Sequence, residues 1–116
     1  MPRPPDARTI ADRQLVAYNA LDLDAYCALC HAEAELILLP SQEVVAKGLA
    51  KIREIYAVRF ATPGLRCEVH ERSALGRVAI DRETVHMDGE DPLEILALYE
   101  VEHGLIVRVF FLREGV

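Results

Sequence analysis

Two hairpins in the second half of the chain set residues of complementary chemistry opposite one another, and these are the first candidates for a site. If Gly76-Arg77 forms a two-residue type II′ loop, with Gly first as that turn prefers, Glu71 faces Arg82. Leu75 facing Val78, Ser73 facing Ile80 and Val69 facing Thr84 share that side, while Arg72 faces Asp81 and His70 faces Glu83 on the reverse. Sliding the turn by one residue sets Glu68 against Glu83, a like-charge pair, so charge complementarity selects the first register. A turn at His103-Gly104 likewise places Val101 opposite Ile106 and Tyr99 opposite Arg108. An arginine beside a carboxylate or a tyrosine suits a ligand that carries a carboxylate or carbonyl. A carboxylate paired with arginine has a lowered pKa and is a weaker base, so Glu71 with Arg82 argues for binding over proton abstraction. The alternative is a structural ion pair near a rim.

The three cysteines raise a second question. Cys27-Ala28-Leu29-Cys30-His31 spells the C-x-x-C-H of covalent haem attachment, and Cys27, Cys30 and Cys67 with His70 or His31 make four ligands at zinc-like spacing. Haem attachment needs export, and the first residues, Met1-Pro2-Arg3-Pro4-Pro5-Asp6, hold prolines and charges where a signal peptide needs an apolar run. A zinc site needs convergence, and Cys67 and His70 fall on opposite faces of an extended strand. Buried free thiols in a reducing cytoplasm are the reading adopted, with no metal or redox cofactor. No Gly-rich phosphate loop, Ser-His-Asp arrangement or HExxH helix is present, so nucleotide use, triad hydrolysis and zincin chemistry have no support.

The elements that must position these residues follow from period and punctuation. Residues 1–5 read as an extended or disordered tail and 6–116 as one domain. Asp6 or Thr9 caps a helix to residue 21, with Ile10, Ala11, Leu15, Tyr18 and Leu21 near helical period. Asp22 caps a second over 23–30, and Gly48 opens a third to residue 60 on Ile52, Ile55, Tyr56 and Phe60. The run Leu36-Ile37-Leu38-Leu39 is a buried strand stopped by Pro40-Ser41, with a short partner at 43–46. Strands over 65–75, 77–87, 93–102 and 105–113 complete an antiparallel meander. Helices gathered ahead of a meander predict an α+β domain in which three helices cover one face of a curved antiparallel sheet. In 116 residues, 52% hydrophobic and 28% charged, one packed core is expected. A net charge of −6 is the reverse of a phosphate-backbone footprint, and no run is long and apolar enough for a membrane span, so neither nucleic acid nor membrane is an expected partner.

The order and spacing of several short signatures resemble the nuclear transport factor 2-like superfamily, especially its ketosteroid isomerase and SnoaL-like branches. The carriers are Asn19-Ala20 followed by Asp22-Leu23-Asp24, Pro40 ahead of Gly48, Ile52-Arg53-Glu54 with Tyr56, Leu98-Tyr99-Glu100-Val101 with Gly104, and Ile106-Val107-Arg108-Val109-Phe110-Phe111. The resemblance implies a cone, a bent sheet wrapped around helices to leave an apolar pocket, and a homodimer formed through the sheet. It does not carry the isomerase chemistry. The base position falls on Leu38, the first-helix tyrosine on Gln14 and the sheet aspartic acid near Ala97, and only Tyr56 stays in register. In that isomerase the apolar site keeps the aspartic acid neutral so that it can donate a hydrogen bond. Because Ala97 matches a pocket position, the side bearing Tyr99 and Arg108 is read as interior.

The expected site is therefore an apolar pocket with Tyr56, Glu71, Arg82, Tyr99 and Arg108 as its polar groups, receiving a small hydrophobic ligand with a carbonyl or carboxylate. Isomerase, cyclase or hydratase-type chemistry is one expectation. A non-catalytic dimeric interaction or ligand-carrier module is the other.

Overall fold

A computed structural model describes residues 3–113. Helix α1 (Ala7–Asn19) is capped by Asp6, whose carboxylate accepts from the Thr9 amide at 2.9 Å. Helix α2 (Leu23–Ala28) is capped in the same way by Asp22, bonded to the Ala25 amide at 3.0 Å. Strands β1 (Cys30–Leu38) and β2 (Glu43–Lys47) follow, then α3 (Leu49–Phe60), then the meander β3 (Arg66–Leu75), β4 (Val78–His86), β5 (Leu93–Glu102) and β6 (Leu105–Arg113).

The six strands form one open, curved sheet in the order β2-β1-β6-β5-β4-β3, with the helices on its inner face. This is the α+β architecture expected. Every neighbouring pair is antiparallel except β1 with β6, which run parallel. Those two are far apart in the chain, so no hairpin dictates their direction. The core is aromatic where the helices meet: the rings of Tyr26 and Tyr56 lie 4.3 Å apart, and Phe60 meets Tyr18 edge-on at 5.3 Å. Gly104 closes the last hairpin with φ +78°, and a Cβ there would lie 2.9 Å from the Pro5 ring, so only glycine satisfies both the turn and the packed Pro5. Met1 and Pro2 of the expected tail lie outside the described residues.

Two β-bulges decide which residues face the helices. Near the Gly76-Arg77 turn the register is the one expected, with Leu75 opposite Val78, Arg72 opposite Asp81 and Glu71 opposite Arg82. Between Val69 and Glu71 it shifts by one: His70 drops out of the ladder, Val69 pairs with Glu83, and Glu68 with Thr84. Because side chains alternate with a period of two, one extra residue exchanges the faces of everything beyond it. Cys67 and Val69 point inward, but on the far side of the bulge it is Arg72 and Ala74 that do. Glu71 and Arg82 are consequently on the outer face and exposed, a correction to the expected placement. Of the four residues on the reverse side, Arg72, Asp81 and Glu83 are the interior ones, and only His70 stays outside, 2.6 Å from the Thr84 hydroxyl.

The second bulge lies in the last hairpin. Val101 faces Ile106 as expected, but Glu100 then faces Arg108 and Tyr99 faces Val109. Tyr99 stays inside, whereas Arg108 turns out to solvent and pairs with Glu100 and, at 3.8 Å, with Glu35.

Candidate functional site

The inner face of the sheet, α1 and α3 enclose a cavity of about 270 Å³. Its walls are mostly apolar, with Leu36 and Leu38 from β1, Ile55 from α3, and Val85, Ile95 and Phe111 from the meander. Helix α1 contributes Gln14 and Tyr18, one helical turn apart and so on one face. Helix α3 contributes Tyr56 and Arg59, three residues apart and again on one face. Leu38 and Gln14, the positions where the isomerase pattern places its base and its tyrosine, both line this cavity.

The sheet supplies the acid. Glu83 is only 5% exposed, and its Oε2 accepts a 2.9 Å hydrogen bond from the Cys67 thiol. Burial raises its pKa to about 7; the Cys67 hydrogen bond and the Arg72 charge work against that rise, and the Asp81 charge adds to it. Burial, with the Glu83 charge beside it, also pushes the Cys67 thiol above its ordinary range, so the sulfur is a neutral donor and not a thiolate. Asn19 fixes Cys67 from behind: its amide donates to the Cys67 carbonyl at 2.9 Å and accepts from the Cys67 amide at 2.8 Å. The end of α1 is thereby tied to the strand that presents the thiol to Glu83.

One inward position along β4, Asp81 is fully buried and takes a two-point contact from Arg72, 2.5 Å from Nε and 2.9 Å from Nη2. Asp12 of α1 also pairs with Arg72. This charge-compensated cluster braces the sheet against α1. Glu83, next in line, has no arginine in contact among the described residues.

The remaining polar groups are donors. Burial raises the phenol pKa values of Tyr18, Tyr56 and Tyr99, that of Tyr56 to about 12, so all three are neutral hydroxyls in the working range. Arg59 reaches the Met87 sulfur at 3.5 Å, and Arg113 holds a buried Nε without a hydrogen-bond partner among the described residues. No group of three or more His, Cys, Asp or Glu among those residues is placed to hold a metal ion.

Of the residues singled out from the sequence, Tyr56 and Tyr99 meet in this cavity, while Glu71, Arg82 and Arg108 do not reach it. The polar groups that sequence reasoning missed are Gln14, Arg59, Cys67, Glu83 and Arg113. Arg59 had a usable signal, since it follows Tyr56 by one helical turn. Gln14 had another in the position it takes within the resemblance. Glu83 and Arg113 had none, because their face depends on the bulges.

A family model for the SnoaL-like domain matches residues 11–109. No curated protein matches the chain significantly. Among solved structures, a cystatin-fold protein from Novosphingobium aromaticivorans superposes with a TM-score of 0.79 at 28% identity, over 88% of this chain and 93% of its own. An NTF2-like protein from Cytophaga hutchinsonii gives a TM-score of 0.80 at 15% identity, covering 98% and 95%. An LEH-like epoxide hydrolase from M. tuberculosis gives 0.77 at 14% identity, covering 90% and 80%. The cone architecture is thus shared with proteins whose sequences have diverged widely.

Proposed function

We infer that this chain, which belongs to the SnoaL-like domain family, binds a small and mostly apolar carbonyl ligand in its cavity and moves a proton on it with Glu83. The observation that carries this reading is a carboxyl group buried in an apolar wall, held near pH 7 by desolvation and left without an arginine contact among the described residues. A group titrating near the working pH can take a proton in one step and return it in the next. Abstraction beside a carbonyl breaks a C–H bond and sends its electron pair to the carbonyl oxygen. The neutral hydroxyls of Tyr56 and Tyr99 and the Gln14 amide are the donors available to that oxygen. Returning the proton to another carbon gives isomerisation; taking it instead from a water molecule whose oxygen attacks an epoxide carbon, and giving it to the oxygen released as the C–O bond breaks, gives hydrolytic ring opening. The epoxide hydrolase among the structural neighbours fits this class of proton-assisted chemistry.

The test is proton exchange. Small cyclic ketones incubated with the protein in D₂O are expected to gain deuterium beside the carbonyl, with a pH profile that bends near 7. Glu83→Gln should abolish the exchange and keep the binding, seen as a ligand-induced rise in Tm. Binding without exchange in the unaltered protein would favour the carrier reading.

A second feature bears on assembly. On the outer face, Val44, Ile37, Phe110, Leu98 and Ile80 pair in succession across five strands, with Leu96 opposite Leu112 alongside. Leu96 and Leu112 are each about 40% exposed. We place a second copy of the chain on this apolar row, as the family resemblance implies. The three free, buried cysteines fit a reducing cytoplasm, and no helix among the described residues is long and apolar enough to cross a membrane.

A further inference from the structure

Two arginines at the cavity wall lack a carboxylate partner among the described residues. The chain is not short of acids, with 19 Asp and Glu against 13 Lys and Arg. Arg53, Arg66, Arg72, Arg77 and Arg108 each hold at least one of them, all outside the cavity. Arg59 has the Met87 sulfur, which carries no compensating charge, and Arg113 has a buried Nε with no acceptor among the described residues. A buried guanidinium donor left unmade is costly, and its best partner is an anionic oxygen, which the guanidinium fork receives in two parallel bonds.

We propose that the ligand of this cavity is a small apolar carboxylate, its acid group received by Arg113 with Arg59 as the second cation, and its reacting carbon directed at Glu83. The register supports the division of labour. Glu83 pairs with Ile95, and Ile95 pairs with Arg113, so acid and guanidinium stand two strands apart in one inward-facing row. Two strand spacings separate their backbones by roughly 10 Å. A ligand lying over the Ile95 side chain can therefore reach both, with a short apolar body between its carboxylate and the carbon that exchanges its proton. The cavity of about 270 Å³ lies just below the usual range for drug-sized ligands, which limits that body to about one ring. The choice of reacting carbon rests on the proposed role of Glu83. The choice of charge rests on the two arginines alone.

Cyclohexanecarboxylate and its uncharged isostere cyclohexanecarboxamide form the probe pair, tested by calorimetry and by the rise in Tm of the full chain in mildly acidic buffer. The carboxylate should bind and the amide should bind at least about tenfold more weakly, a difference of roughly 1.4 kcal/mol. Arg113→Gln should erase that preference, Arg113→Lys should restore part of it, and Arg59→Gln should reduce it. Glu83→Gln should leave carboxylate binding in place, and unliganded melting of each variant identifies any that fail to fold. Equal binding of both probes, or a preference untouched in Arg113→Gln and Arg59→Gln, overturns the charge assignment while leaving the apolar pocket standing. Binding of neither probe overturns the charge assignment and the proposed function together.

Discussion

The thiol of Cys67 donates to the carboxylate of Glu83 across 2.9 Å, joining β3 to β4 inside the cavity and joining a soft, neutral donor to the acid on which the proposed chemistry depends. The contact exists because a bulge at His70 turns Cys67 to the same face as Glu83, and because Asn19 holds the Cys67 backbone from α1. Loss of the thiol tests its influence on the acid. Since the thiol hydrogen bond lowers the Glu83 pKa, Cys67→Ala should raise it above its present value of about 7. Carboxyl NMR titration of the two proteins is the measurement, and an unchanged or lower midpoint would show that the hydrogen bond does not act on the acid.

Glu83 also makes stability depend on pH, and the sign is unusual for a carboxylate. Its folded pKa of about 7 lies above its ordinary value of 4.5, so between these limits the folded protein binds more protons than the unfolded chain. Its contribution is fully present below pH 4.5 and is lost as pH rises through about 7. A shift of this size corresponds to something on the order of 3 kcal/mol for a group this deeply buried. Cys67, Asp81 and Arg72 act on Glu83 and remain in Glu83→Gln, so subtracting one protein from the other isolates the acid. Thermal melts in a pH series should show the unaltered protein losing stability relative to Glu83→Gln across that window. A difference that stays flat, or grows in favour of the unaltered protein, would remove the raised pKa from the account.

The Arg72 cluster predicts an asymmetry between its two acids. Asp81 is fully buried, whereas the Asp12 side chain is 66% exposed, so water compensates for the loss of one and not the other. Asp81→Asn should cost about 3 kcal/mol or more by leaving Arg72 under-compensated in a site that is itself only 10% exposed. Asp12→Asn should cost less than about 1 kcal/mol. Urea denaturation measures both, and similar values for the two would show that burial does not control this cluster.

The outer apolar row makes a prediction about assembly. Leu96 and Leu112 face each other across β5 and β6, so the double substitution Leu96→Glu and Leu112→Glu places two charges directly beside the row. Light scattering after size exclusion should find a dimer for the unaltered chain and a monomer for the double variant, with the melting transition preserved. A monomer in both cases would leave the face without a partner copy.

Much of this molecule is written in local patterns. Asp6 and Asp22 sit where N-caps belong, Gly76-Arg77 turns where Gly first is favoured, and Arg72 faces Asp81 where charge complementarity placed them. Tyr56 was legible because a helix repeats on one face and its neighbours Ile52 and Phe60 are apolar. Glu71 stands opposite Arg82, as read from the turn, yet on the solvent side. Tyr99 and Arg108 were assigned to one pair and are separated to opposite faces, because Val107 adds a residue to β6.

The sequence by itself thus determined the elements, their turns and their order, since caps, period and turn residues act within a few positions of one another. Only the tertiary structure decided which strand arginine and which carboxylate enter the cavity. A bulge costs little locally, but it reverses the facing of a whole strand segment, and its position answers to how a curved sheet closes over three helices. That closure is a property of the assembled layers, and it exchanged Glu71, Arg82 and Arg108 for Glu83 and Arg113 at the cavity wall.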